Sequence, residues 1–217
     1  IIIATIALLP VGFILVMSEY LWRQKLVKGE RARKFIHILA GIHIAFWSHY
    51  VPVDGIVILG SVALAILLYS RQSKLFTAIY QVKRRTYGEI LFAVAIIITA
   101  LLAREPWVFT IAILLLALAD GGAAVVGRFW GIHNQYFVFG AHALRKSVAG
   151  TSAYVVLAYV CIAAGWFVGG SDAMSTGALQ SLVVLPLGAA AIENVTPYGF
   201  DNIATPIFAT LLLNSLI

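Results

Sequence analysis

Four carboxylates in this 217-residue chain stand where carboxylates are costly. Glu89, Asp120, Glu193 and Asp201 each lie at one end of an apolar run, and those ends fall on one side once the runs alternate. An ionisable group at such a depth is a functional candidate by default. Acids gathered beside Arg and Lys fit a site for an anion together with a divalent cation, because Mg²⁺ is typically held by one or two carboxylates plus substrate phosphates. The plainer alternative is that each acid pairs with a nearby base at the interface. The other five acids read as ordinary: Glu19 and Glu30 pair within a basic segment, and Asp54, Glu105 and Asp172 are solvated in short outer loops.

Local context sharpens the candidates. Asp120 heads DGGAAVVGRFWG, where Asp120, Ala124, Gly127 and Gly131 recur at helical spacing. Such a narrow face admits either a phosphate or the backbone of another helix. Asp201 lies in ENVTPYGFDNIATP, where Pro197 and Gly199 break the chain between two runs. Glu193, Asp201 and Asn202 flank that break with oxygens suited to a hard cation, and Asp201 or Asn202 can also cap the last helix. In LRKSVAGTSA, Arg145 and Lys146 precede Ser147, a good helix N-cap, followed by Ala149, Gly150, Thr151 and Ser152. A helix start with two cations beside it is a candidate phosphate cradle, although flanking and capping alone would give the same pattern. In RARKFIHILAG, helical spacing puts Arg33 and Lys34 on one face with His37, a proton shuttle or a hydrogen-bonding member of the polar cluster. KRRTYGEI sets Arg84, Arg85 and Glu89 at the entry to a further run. The five histidines show no zinc-ligand spacing, and Cys161 sits alone in an apolar run as a packing residue.

The elements that position these residues follow from composition. Hydrophobic residues make up 62% of the chain and charged residues 11%, against about 25% charged in soluble domains. The mean hydropathy is +0.97. Soluble and disordered classes are both excluded. The expected fold is all-α, a polytopic transmembrane helical bundle forming a single integral membrane domain over 1–217. Its eight spans fall at about 1–17, 35–50, 55–69, 88–103, 107–119, 148–168, 178–192 and 203–217. The opening IIIATIALLP has neither Met nor a basic leader, so it reads as a span within a longer or processed chain rather than a signal peptide. Fourteen of the fifteen Lys and Arg fall on one side of this arrangement, Arg104 being the exception. By the positive-inside rule that side is cytoplasmic and both ends of the chain lie outside.

Taken together and in order, RKFIH (33–37), RRTYGE (84–89), DGGAAVVGRFWG (120–131), RKSVAGT (145–151) and Glu193 followed by GFDNIATP (199–206) resemble the CTP-dependent polyprenol kinase family. That family includes dolichol, phytol and farnesol kinases and the CTP-using diacylglycerol kinase. The resemblance runs from about residue 31 to the C-terminus and is greatest to short, phytol-kinase-like members. It implies a membrane enzyme that moves the γ-phosphoryl group of CTP, with Mg²⁺, to the hydroxyl of a lipid alcohol of polyprenol or phytol type, or to diacylglycerol. It implies catalytic roles for Asp120, Asp201, His37 and Lys34, and metal ligands in Asp120, Asp201, Asn202 and Glu193. Nucleotide contacts are implied for Gly121, Gly127, Arg128, Gly131, Arg145, Lys146, Ser147, Gly150, Arg85 and Glu89.

Expected partners are the lipid alcohol, the nucleoside triphosphate and membrane lipids. No nucleic acid is expected, and assembly as a homodimer is left open. A phosphatidate cytidylyltransferase-like enzyme is the alternative. Those enzymes share the Asp-Gly-Gly and Lys-(Ser/Thr)-x-x-Gly elements but typically end in PGHGG and DRxDS, where this chain has YGFDNIATP. A transporter, of another class again, would need internal repeats and polar sites at the midplane. No repeat is evident, and the acids gather near one face.

On this topology, segments 19–34, 71–87, 121–147 and 194–202 share the cytoplasmic side. Single cysteines at Gln72 and Asn134 should therefore react with an impermeant thiol reagent from the same side. Reaction from opposite sides would contradict the arrangement.

Overall fold

A computed structural model describes residues 2–26, 30–73, 87–138, 144–169 and 178–217. The helices are α1 (Ile2–Arg23), α2 (Glu30–Ala45), α3 (Val53–Ser73), α4 (Gly88–Leu102), α5 (Pro106–Leu114), α6 (Asp120–Trp130), α7 (Val148–Gly169), α8 (Ala178–Val195) and α9 (Asp201–Asn214). A π-helical turn, Leu115–Ala119, joins α5 to α6 in one continuous rod. A short 3₁₀ turn, Trp47–His49, follows α2.

Each of the eight apolar runs overlaps a helix, but they are not eight equal spans. Four helices are long and apolar enough to cross a membrane: Thr5–Arg23, Val53–Ser73, Pro106–Trp130 and Val148–Gly169. Gly88–Leu102 and Ser181–Val195 are apolar but shorter. The 16 residues of α2 extend only ~24 Å, less than the roughly 30 Å of a hydrocarbon core. Length and apolarity therefore support four spans among the described residues, and the expected count of eight is not supported. The run expected to end at residue 119 continues as helix to Trp130, since Gly121 and Gly122 weaken a helix without ending it.

The fold is also not purely helical. Gln135–Val138 (β1) pairs antiparallel with Leu144–Ser147 (β2), with Tyr136 opposite Lys146 and Phe137 opposite Arg145. This segment was expected as a loop. β2 runs directly into α7, whose start is capped by the Ser147 hydroxyl accepting from the Gly150 N–H at 3.1 Å.

The rod Pro106–Trp130 is the axis of the molecule. Of its most apolar window 78% is buried, against 17–28% for the other three long helices. Every residue from Trp107 to Leu114 is buried, and α2, α7 and α9 pack around the rod. Close approach depends on glycine. A Cβ on Gly41 of α2 would stand 2.2 Å from Ala117 Cβ, and one on Gly165 of α7 would stand 2.1 Å from Ile111 Cγ1. At the α8–α9 turn, Tyr198 (φ 58°) and Gly199 (φ 90°) adopt left-handed backbone, which glycine accepts without strain. The Tyr198 carbonyl accepts from the Tyr87 N–H at 3.2 Å, and Asn202 Nδ2 donates to the Gly88 carbonyl at 2.8 Å. These two bonds tie the turn to the head of α4 and fix Asp201 beside the rod.

Because Ala117 lies directly in the way, Gly41→Ala should lower stability by about 1–3 kcal/mol, the usual cost of overpacking. Gly12→Ala, with nothing within 4 Å of the added carbon, should leave the melting temperature in detergent unchanged or raised. Equal melting temperatures for Gly41→Ala and the parent protein would contradict the packing described.

Candidate functional site

One cluster is delivered by α6 and by the consecutive helices α8 and α9. Asp120 opens α6 immediately after the π turn, Glu193 lies in the last turn of α8, and Asp201 opens α9. One carboxylate oxygen from each lies within 4.8 Å of the others. Asp120 and Glu193 are buried and Asp201 is half-buried. Oxygens sharing one Mg²⁺ stand about 3–4 Å apart, given metal–oxygen distances near 2.1 Å, so small side-chain rotations suffice to close the three on an ion. The donor set is all oxygen and suits a hard cation.

Two ammonium groups face the trio. Lys34 Nζ on α2 donates to Asp120 Oδ2 at 2.5 Å. Lys146 Nζ on β2 donates to Glu193 Oε1 and, at 2.9 Å, to the Glu193 carbonyl. Asp201 has no ion pair among the described residues. Its carboxyl stands at the head of α9, before the apolar run, and is pushed up to about 6, first by burial and then by the negative charge of Asp120. His37 Nε2 lies 2.8 Å from the Leu116 carbonyl and 3.5 Å from Asp120 Oδ2, with its ring 4.6 Å from that of Phe92.

The expected phosphate cradle is differently built. The first N–H groups of α7 are already bonded. Val148 donates to the Asn134 carbonyl at 3.0 Å, Ala149 to Asn134 Oδ1 at 3.5 Å and Gly150 to Ser147 Oγ. The glycines are filled by protein. A Cβ on Gly121 would meet Ile38 Cγ1 at 2.3 Å, one on Gly131 would meet the Gly127 carbonyl at 2.2 Å, and Gly127 and Gly150 face each other across α6 and α7. The helix-packing alternative thus accounts for Gly121, Gly127, Gly131 and Gly150.

Arg145 and Lys146 do not converge either. Successive strand residues point to opposite faces, which turns Lys146 to Glu193 and leaves Arg145 exposed with Arg128. Glu89 stands apart from the trio and pairs with Arg71 at 3.6 Å. Asn202, expected as a metal ligand, commits its amide nitrogen to Gly88. Arg85 lies outside the described residues, as do Lys74, Lys83, Arg84 and His142.

One polar group went unread in the sequence. The Tyr136 hydroxyl lies 2.5 Å from Thr151 Oγ1 and donates to Asn194 Oδ1 at 2.9 Å, while Thr151 Oγ1 donates to the same oxygen at 3.2 Å. This network joins β1, α7 and α8 beside the Lys146–Glu193 pair. Its one legible signal was Asn194, a second polar residue directly after Glu193 near the end of an apolar helix.

The class these features define is a helical protein with membrane-length helices around a buried carboxylate–lysine centre. The chain is 29% identical to a phytol kinase of Synechocystis sp. (strain ATCC 27184 / PCC 6803 / Kazusa) over 208 residues, covering 93% of this chain and 85% of that protein. That likeness supports the phytol-kinase-like family already indicated by the motifs. No family model matches the chain, and no solved structure matches it.

The raised Asp201 carboxyl carries a sign. A group raised from 3.8 to about 6 on folding contributes stability that is complete below its ordinary value and lost as pH rises through its folded one. Measured as the difference from Asp201→Asn, which cancels the other titrating groups, the cation-free protein should therefore lose melting temperature between about pH 5 and about pH 7.5. Mg²⁺ should reduce that loss at the higher pH. Thermal unfolding in detergent checks this, and a melting temperature indifferent to Mg²⁺ at the higher pH would contradict it.

Proposed function

We propose that the chain is an integral membrane lipid-alcohol kinase. It transfers the γ-phosphoryl group of CTP to the hydroxyl of a phytol- or polyprenol-type alcohol, in one membrane domain over 1–217 with its site on the cytoplasmic side. The observation that carries this reading is the Asp120–Glu193–Asp201 trio faced by Lys34 and Lys146. The likeness to a phytol kinase over nearly the whole chain supports the reaction class, and the four long apolar helices are compatible with the membrane setting.

Phosphoryl transfer asks a protein mainly for positioning and charge stabilisation. Asp120, Glu193 and Asp201 would hold Mg²⁺, which would supply positive charge to neutralise and orient the phosphates. Lys34 and Lys146, paired with Asp120 and Glu193, would turn their ammonium groups to the phosphate oxygens when nucleotide arrives. Arg128 and Arg145, exposed on the α6 and hairpin surface, lie farther out and serve the approach of the anion. The lipid enters sideways from the inner leaflet, so that its hydroxyl meets the γ-phosphorus at the margin of the bundle. The oxygen of that hydroxyl forms the new bond to phosphorus as the bond to the departing CDP breaks, and the hydroxyl proton passes to an oxygen of the transferred phosphate and on to water at the margin. CTP as donor rests on the family resemblance.

Purified protein given γ-labelled CTP, ATP or GTP with phytol, polyprenol or diacylglycerol should transfer label from CTP to an isoprenoid alcohol and release CDP. Release of pyrophosphate would assign the cytidylyltransferase reaction instead. Asp120→Asn and Asp201→Asn should each lower turnover at least a hundredfold with folding retained, and raised Mg²⁺ should rescue them at most partly. Near-normal turnover in either variant would overturn the metal assignment.

A further inference from the structure

The structure assigns His37 the role of a positioning residue that locks the π turn and thereby aims Asp120, rather than that of a proton shuttle. This rests on the reading of the carboxylate trio as a cation centre. The argument begins with the backbone. In a regular α-helix the Asp120 N–H would bond to the Leu116 carbonyl, four residues back. Here it reaches the Leu115 carbonyl, five residues back, with Ala117 as a second acceptor. The α-type bond to Leu116 is not made, and the Leu116 carbonyl accepts from His37 Nε2 at 2.8 Å instead.

The chemistry of that contact fixes the proton. A carbonyl oxygen only accepts, so Nε2 carries the hydrogen. The second atom near Nε2 is Asp120 Oδ2 at 3.5 Å, also an acceptor from Nε2–H when the carboxylate is ionised. The face of the imidazole turned toward the centre therefore offers a donor and no lone pair, and a base working through Nε2 has nothing to work with. The geometry around it is enforced. Gly41, one turn along α2 from His37, allows α2 to lie against Ala117 in the middle of the π turn. Phe92 of α4 lies at a tilt against the ring, with centroids 4.6 Å apart.

The consequence for Asp120 is directional. Each residue of an α-helix advances the side chain by about 100°, and a π turn inserts the equivalent of an extra residue in the rod. The turn thus sets which way the side chains after it face, and Asp120 is the first of them. Were the rod to relax to regular α-helix, the Asp120 carboxylate would swing off the line to Glu193 and Asp201. His37 holds it there by supplying a donor to the carbonyl that the π turn deprives of its α-type partner, a compensation that favours the turn over the relaxed helix.

Two substitutions separate the roles. Gln places an amide N–H close to where Nε2–H stands but cannot act as a base, and Leu supplies neither function. Mn²⁺ binding to the detergent-solubilised full chain, followed by its electron paramagnetic resonance signal, should weaken roughly ten- to a hundredfold in His37→Leu, the usual cost of losing a residue that orients a metal ligand. His37→Gln should stay within about threefold of the parent in both Mn²⁺ affinity and turnover. Turnover lost equally in His37→Gln and His37→Leu would make the imidazole itself essential and overturn the proposal, as would two variants that bind Mn²⁺ like the parent. Failure of the parent protein to bind Mn²⁺ would remove the cation centre and this proposal with it. Should His37→Leu not fold, the tautomer still decides. Histidine-labelled ¹⁵N spectra of the unsubstituted protein should show His37 protonated at Nε2, and a resonance pattern for Nδ1–H would overturn the assignment.

Discussion

Three carboxylates held within 4.8 Å of one another in a largely dry interior repel strongly unless cations stand among them. Lys34 and Lys146 supply two positive charges, and Asp201 is left without an ion pair among the described residues. The imbalance is what favours the proposed cation centre over a structural ion-pair cluster. A fully compensated group would gain little by admitting a divalent ion, whereas this one would have its excess negative charge offset. Much of the architecture described serves to bring these side chains together from opposite ends of the sequence.

The means differ from element to element. Asp120 is aimed by the π turn of the buried rod. Glu193 is delivered by the last turn of α8, and Lys146 reaches it because β2 alternates its side chains across the hairpin. Asp201 follows a turn with two left-handed residues, tied by Tyr198 and Asn202 to the head of α4. Gly41, Gly121, Gly127 and Gly150 allow the helices to approach closely enough for these reaches to be short. The glycines of α6 thus pack closely, Gly121 against α2 and Gly122 and Gly127 against α7.

What was legible in the sequence, and what was not, divides along the same physical lines. Charged residues in an apolar chain are conspicuous, so Asp120, Glu193, Asp201, Lys34 and Lys146 were all visible before any coordinates. The Pro197–Gly199 break and the Ser147 cap were legible because turn and cap chemistry is local. Convergence depends on tertiary approach, and so the separate fate of Glu89, paired with Arg71, could not be read. The hairpin was hidden because eight strand residues split by an intervening segment carry a weak signal next to 20-residue apolar helices. The π turn left no trace in the residues LLALA, and the hydrogen bond that accompanies it comes from His37 on α2, 79 residues away. Glycine in DGGAAVVG fits phosphate approach and helix approach equally well, and the close neighbours Ile38, Leu157 and Ser147 are supplied by elements distant in sequence.

The central claim is that Asp120, Glu193 and Asp201 form one divalent-cation centre. Anomalous diffraction from crystals soaked in Mn²⁺ tests it most directly. The account predicts a peak, or an adjacent pair, bounded by these three carboxylates at about 2.1–2.2 Å from their nearest oxygens, near the distances of hard-cation coordination. An anomalous peak elsewhere in the chain with none among the three would contradict it.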